Sequence, residues 1–240
     1  MEKASYLTSM QQSWNTCQGC LLCNERQSVV FGYGNPYSQI LIVGEAPGEQ
    51  EDLQGLPFVG AAGQLLDQYL ATASIDPRLM ELTADDKFPP KELREILKDT
   101  TFYTNVVSCR PPENRDPTIK EVVACRARLI ELIYTVDPVL VIGVGRIASE
   151  ALLRRKISIT QVRGELFDIT IPGRLIDVSY PMLAVLHTSY LLRVNDFKQK
   201  GGMSDKTFYD LLLAGHLVDW FNWLHYKQPL SKDRIERKMR

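Results

Sequence analysis

At 240 residues the chain is longer than an average domain yet within reach of a single α/β core. Hydrophobic residues make up 45% and charged residues 24%, which excludes wholesale disorder, and no run approaches the roughly 18 apolar residues of a bilayer span. A net charge of -1 removes any global signature of nucleic-acid binding, so contacts with a polyanion must be local.

The first residues, "MEKASYLTSMQQSW", lack the apolar run of a secretory leader, and a cytoplasmic location is expected. "CQGCLLC" follows, with three of the chain's five cysteines. In a reducing compartment, clustered thiols serve as metal ligands or catalytic groups more often than as disulfides. "QILIVG" (39 to 44) reads as a buried strand, "EAPGEQEDLQGLPFVG" as a loop, and the stretch from Ala62 to about Thr72 as a helix. Residues 74 to 100 form a charged insertion with a short helix after "PP". "TFYTNVV" (101 to 107) is a second strand. The proline-rich turn "CRPPENRDP" leads from it into a long helix starting near Pro117 and Thr118, with Ile119, Val122, Val123, Ile130 and Ile133 on its apolar face. "VLVIGVG" (139 to 145) is a third strand, passing through a glycine turn into the helix of "RIASEALLRR", and "MLAVLH" (182 to 187) is a fourth. An aromatic-rich helix over 207 to 226 ends the domain, and 227 to 240 is a basic tail.

Apolar strands alternating with helices predict an α/β fold: one domain over residues 1 to 226, with a central, mostly parallel, four-stranded sheet flanked by helices. In such sheets the loops at the strand ends carry the chemistry. Here those loops run from Glu45 to Phe58, Asn105 to Asp116, Gly143 to Arg146 and His187 to Arg193, and they are expected to assemble one site.

A C-x-x-C pair directs two thiolates at one ion, and Cys109 and Cys125 are the remaining cysteines able to complete a four-sulfur set with Cys17 and Cys20. At about 100° per residue, Cys125 falls roughly 120° from the centre of the predicted apolar stripe, which speaks against a simple core cysteine. Arg126 falls on that stripe and weakens the argument. Zinc and an iron-sulfur cluster both accept four thiolates, so the ligands leave the choice open.

Four segments taken together, "CQGCLLCNER", "VGEAPGEQEDLQGLPFVGAAGQLLD", "TNVVSCRPPENRDP" with "ACRARL", and "HTSYLLR", resemble the family-four uracil-DNA glycosylases. The resemblance runs from about residue 17 to 193. It implies a 4Fe-4S cluster on Cys17, Cys20, Cys109 and Cys125, with Cys23 spare, and hydrolysis of the N-glycosidic bond of deoxyuridine in single- or double-stranded DNA. It also implies roles: Asn105 reads the uracil edge, Phe58 stacks on the base, and the Ala46 backbone N–H faces it. His187 would hydrogen-bond uracil O2 as charge develops, Glu45 would orient or activate water, and Glu51 would exclude thymine's methyl group. Arg110, Arg115, Ser189 and Arg193 are then expected against DNA, the expected partner of a monomeric protein. Read alone, Asn105 would be a turn or cap residue, Phe58 a core residue and the two glutamates loop charges.

The chain departs from the family in having Thr188 where proline usually follows the motif histidine, which leaves that loop less constrained. The insertion at 74 to 100 is also longer than expected, and it would serve a partner or decorate the surface. Two alternatives follow: the same fold acting on another deaminated or modified base, or a non-catalytic iron-sulfur DNA-binding module.

Overall fold

The computed structural model of the chain describes residues 2–79, 89–173, 177–197 and 199–226. The basic tail at 227–240 and part of the insertion lie outside the described residues. In chain order the elements begin with α1 (Lys3–Trp14), β1 (Tyr33–Gly34), β2 (Ile40–Gly44), α2 (Glu49–Gln54) and α3 (Ala61–Thr72). There follow α4 (Pro90–Leu97), β3 (Thr101–Asn105), α5 (Ile119–Val136), β4 (Leu140–Val144) and α6 (Arg146–Leu153). The chain closes through α7 (Ile159–Val162), β5 (Leu166–Ile171), β6 (Val178–Val185), α8 (Thr188–Val194) and α9 (Met203–Tyr226).

The sheet has six strands in the order β1-β3-β2-β4-β6-β5, not four. The four central strands β3, β2, β4 and β6 are mutually parallel and are the predicted ones. The two edges, β1 and β5, run antiparallel to their neighbours. Both were too weak to read: β1 has two residues, and in β5 the apolar residues are interrupted by Asp168 and Thr170, with only Ile169 and Ile171 buried. β6 starts earlier than predicted and runs through Pro181. That residue pairs only with Asp168 of β5, before the ladder to β4 begins at Met182, so its missing N–H breaks no parallel pairing.

Alternation along the strands explains why both faces need cover. Leu41, Val43 and Val141 enter one core cluster, together with α1, α5 and α6 residues such as Leu7, Leu132 and Leu152. Ile40, Ile42 and Ile142 enter the other, against Leu66 and Leu70 of α3, Leu93 and Leu97 of α4 and Leu211 of α9. Part of the stretch read as an insertion thus reaches the core through Leu93 and Leu97, while Lys91, Glu92 and Glu95 of α4 stay exposed. Among the described residues no helix is long and apolar enough to cross a membrane.

α5 begins where predicted. Thr118 Oγ1 accepts from the Glu121 N–H at 3.4 Å, and the Glu121 carboxylate accepts from the Thr118 N–H at 2.7 Å, a reciprocal cap. Its buried face is rotated from the predicted one. Ile119 and Val123 are 75% and 60% exposed, whereas Cys125, Arg128, Leu129 and Leu132 face inward. Cys125 therefore lies on the buried face of α5, and the wheel argument that set it apart from the core fails. The stripe was drawn through apolar residues, while the true inward face carries an arginine.

Candidate active site

The four loops predicted to form one site do meet. They close a cleft of about 530 Å³ at the C-terminal ends of the parallel strands, with Ile159 and Thr160 of α7 as a further wall. Glu45, Ala46, Glu51, Phe58, Asn105, Arg115, His187, Ser189 and Arg193 all line it. Arg110 does not. Its Nε donates to Asn114 Oδ1 at 2.8 Å, and its guanidinium lies 3.9 Å from Glu49.

Asn105 ends β3 opposite Gly44 at the end of β2. A Cβ at Gly44 would collide with Asn105 Oδ1 and stand 2.5 Å from the Phe58 ring, so glycine is what lets these groups share one wall. Asn105 is 3% exposed, and among the described residues nothing hydrogen-bonds its side-chain amide. A turn or cap asparagine would spend that amide on the backbone. Phe58 adopts a left-handed backbone, φ 58°, unusual outside glycine, and its ring tilts against Tyr103 with centroids 5.8 Å apart. Glu51 accepts from the Gly48 N–H at 3.1 Å and the Gly60 N–H at 2.7 Å, so its carboxylate ties the two ends of the loop that carries Phe58.

His187 caps α8. Its Nδ1 accepts from the Ser189 N–H at 3.1 Å, which leaves the ring proton on Nε2. Burial, helped by Arg193, pushes the imidazole down to about 4, so the ring is neutral near pH 7. Gly145, at φ +89°, permits its approach, since a Cβ there would stand 2.9 Å from His187 Cβ. Thr188 does not loosen this loop. Its buried hydroxyl donates to the Ala62 carbonyl at 2.6 Å and anchors the histidine turn to the start of α3. Arg193 lies at the exposed rim, with Nη1 3.4 Å from Ser189 Oγ.

Across the cleft, Glu45 interacts electrostatically with Asp116 and Arg146. Burial first, then the Asp116 charge, push Glu45 up to about 7, against the opposing pull of Arg146. Arg146 pairs with Asp116 at 2.9 Å and with Glu150 at 3.2 Å. Asp116 and Arg146 stand in loops flagged by sequence, but no motif singled them out as partners of Glu45. Arg115, expected against DNA, forms a two-pronged pair with Glu121 at 2.7 and 2.9 Å, and holds the proline-rich loop to the head of α5. That pair, with the Thr118 cap, keeps the Glu121 carboxyl down at about 2.

The thiols of Cys17, Cys20, Cys109 and Cys125 gather on the other side of β3. Cys20 interacts electrostatically with Cys125 and Cys17, and Cys109 with Cys125 and Cys20. Arg26 donates to Cys109 Sγ at 3.3 Å and to the Cys17 carbonyl at 2.7 Å. Arg128, wholly buried, interacts electrostatically with Cys125, Cys109 and Cys17, and among the described residues it pairs with no carboxylate. Its Nε is buried without a partner. A buried cation needs a compensating charge, and the thiols are the groups able to supply it as thiolates. The donor set thus fits an anionic four-thiolate centre, although among the described residues no three ligand side chains are placed to hold a single metal ion. Cys23 stands apart, with its Sγ 3.4 Å from Asn24 Oδ1. Neither Arg26 nor Arg128 was legible as part of this set, because a lone arginine beside a cysteine in sequence carries no distance information.

Fold and cleft together define an α/β protein whose ligand crevice lies at the carboxyl ends of its parallel strands. The family model of the uracil DNA glycosylase superfamily matches residues 31–211. The type-4 uracil-DNA glycosylase of Archaeoglobus fulgidus is 32% identical over 208 residues, covering 82% of this chain and 94% of the relative. Those of Saccharolobus solfataricus and Thermotoga maritima are 34% and 35% identical, covering 79% and 74% of this chain and 83% and 78% of theirs. The chain belongs to the uracil-DNA glycosylase superfamily, on its type-4 branch.

Proposed function

We propose that the chain hydrolyses the N-glycosidic bond of deoxyuridine in DNA, releasing uracil and leaving an abasic site. The observation that carries this reading is the Asn105 amide: almost wholly buried, unused by the fold, and beside the Phe58 ring in the cleft. An amide that both donates and accepts matches uracil N3–H and O4, whereas cytosine presents the reversed pattern. The base must leave the stack to reach the cleft, at a cost of roughly a few kcal/mol in a duplex and less in a single strand.

In the reaction, water attacks C1′ as the C1′–N1 bond breaks, and the bonding pair departs with the base. Charge on the departing uracil collects at O2, and the neutral His187 Nε2–H donates there. Ionised Glu45 takes the proton of the attacking water and offsets the cationic sugar. Asn105 and Phe58 hold the base, with the Ala46 N–H beside it. Glu51, fixed by two backbone donors, is assigned to exclusion of a C5 methyl group. Ser189 and Arg193 at the rim are assigned to the phosphates flanking the flipped nucleotide, and such contacts position DNA without reading its sequence. For Arg110 and Arg115, already engaged with Asn114 and Glu121, the same assignment is secondary.

Cys17, Cys20, Cys109 and Cys125 would hold a 4Fe-4S cluster, with Arg26 and Arg128 offsetting its charge. Bound there, it supplies structural cross-linking of the N-terminal segment to the loop after β3 and to α5. The Thr188 hydroxyl anchor and the packing of Leu93 and Leu97 of α4 support the uracil reading over a different base.

The test is base release from a single-stranded oligonucleotide with one deoxyuridine, against thymidine and deoxyinosine controls, read by alkaline cleavage at the abasic site. Cleavage specific to deoxyuridine that drops sharply in Asn105→Ala and His187→Ala is the expected result. A folded, iron-loaded protein that releases no uracil would overturn the assignment.

A further inference from the structure

Arg94 belongs to α4, in the stretch that reads as an insertion, yet its side chain is only 11% exposed. Its Nε pairs with Asp67 Oδ2 of α3 at 2.8 Å, and its guanidinium lies over the Tyr103 ring of β3, 4.1 Å from the centroid. Asp67 in turn accepts from the Tyr103 hydroxyl at 3.0 Å. The remaining reach of the guanidinium goes to one place: Arg94 Nη2 donates to the Phe58 carbonyl.

That carbonyl belongs to the residue in the left-handed conformation, which is strained for a phenylalanine and persists only where the surroundings enforce it. A Cβ at Gly63 would collide with the same carbonyl, so α3 is cut away to admit it. Burial alone does not account for Arg94. Leu93 and Leu97 already seat α4 in the core, and Arg94 Nη1 is left buried without a partner, a cost that an apolar residue would avoid.

We infer that Arg94 is a positioning residue for the flipped base: locked by Asp67 and Tyr103, it clamps the Phe58 carbonyl and holds the Phe58 ring in the cleft wall. The inference rests on Phe58 being the ring that stacks on the base. α4 thereby becomes part of the base-recognition apparatus, acting from behind the wall.

A double-mutant cycle on the iron-loaded protein tests it, with Phe58→Ala, Arg94→Lys and the double variant. The readouts are kcat/KM on the deoxyuridine oligonucleotide, inhibition by free uracil, and the thermal midpoint. Lysine keeps a cation beside Asp67 but cannot also reproduce the fork to Phe58. Each single variant is expected to lose about tenfold in kcat/KM and a similar factor in uracil inhibition. The double variant is expected to be no worse than Phe58→Ala within about twofold, the signature of two residues acting as one. Losses that multiply in the double variant, or wild-type uracil inhibition in Arg94→Lys, would overturn the clamp while leaving Phe58 as the stacking residue. An unaffected Phe58→Ala would instead remove the stacking role, and the clamp with it. Should Arg94→Lys not accumulate folded, Arg94→Gln serves in the same cycle, since burial pushes Asp67 up to about 7 and it can hold its proton beside a neutral partner.

Discussion

Asn105 and Arg128 touch through one hydrogen bond, from the guanidinium to the Asn105 carbonyl, yet they belong to regions that treat buried polarity in opposite ways. On the cleft side, the Asn105 amide and His187 Nε2 are left unspent. On the cysteine side, Arg128 also donates to the Phe31 carbonyl at 3.1 Å and to Thr104 Oγ1 at 3.0 Å, and Arg26 is committed to Cys109 and Cys17. Unused hydrogen-bonding capacity on a cleft wall is open to a ligand, whereas capacity spent on the backbone holds the fold; the Arg128 Nε, sealed beside the cysteines, is the exception. The contrast implies that damage on the cysteine side should appear first as instability, and damage in the cleft as lost rate.

The largest effect should come from Arg128→Met. It removes the Arg128 donor from the Asn105 carbonyl and from the Phe31 carbonyl, which keeps only Thr104 Oγ1, and it takes away the buried cation proposed to offset the cysteine centre, so a loss of about 3–5 kcal/mol is expected. Denaturant unfolding together with iron and sulfide content would measure it. An unchanged midpoint with full iron would break the comparison. His187→Ala should do the reverse: roughly a hundredfold loss in kcat, about 3 kcal/mol of barrier, with stability reduced only by the lost α8 cap, about 1 kcal/mol.

Acid dependence sharpens the contrast further. Glu45 works ionised, and in the ligand-free protein its carboxyl is pushed up to about 7, so kcat/KM should fall about tenfold per pH unit well below pH 7. Asp116→Asn removes a neighbour that holds Glu45 up, and should move this acid limb to lower pH; Arg146→Gln should move it higher. Stability carries the opposite sign at this group. A carboxyl raised from 4.5 to about 7 favours the folded state while protonated, and that contribution is lost as pH rises through 7. His187, lowered from 6.5 to about 4, disfavours the folded state as pH falls through that interval. A pH–rate profile set beside a pH–stability profile would show the two limbs running apart.

The smallest effect is expected from Thr188→Val, which removes the hydroxyl donor to the Ala62 carbonyl at nearly constant volume. About 1 kcal/mol of stability and a severalfold fall in kcat/KM are expected, measured by thermal unfolding and steady-state kinetics. Full activity in that variant would mean that the anchor does not hold the histidine turn.

Much of this was legible in the chain itself. The four parallel strands were readable because strands buried on both faces are rich in apolar and β-branched residues, a local property that holds even for β3 with its buried Thr101 and Thr104. The four loops were readable because each follows such a strand, and the motif residues Glu45, Asn105 and His187 then fell into one cleft. The α5 cap was also local, since Thr118 and Glu121 sit three residues apart. What sequence misread was the placement of buried charge. Arg128 and Arg94 look like solvated helix residues, yet both are buried and their partners lie on other elements, while the exposed Asp116 and Arg146 meet across two loops that sequence could not pair. α1 and the edge strand β5 escaped for a related reason: neither carries a continuous apolar run, and each is held by what it packs against. Only the tertiary structure could decide these, because the free energy of burying a charge or half-burying a polar segment depends on the groups that meet it in space.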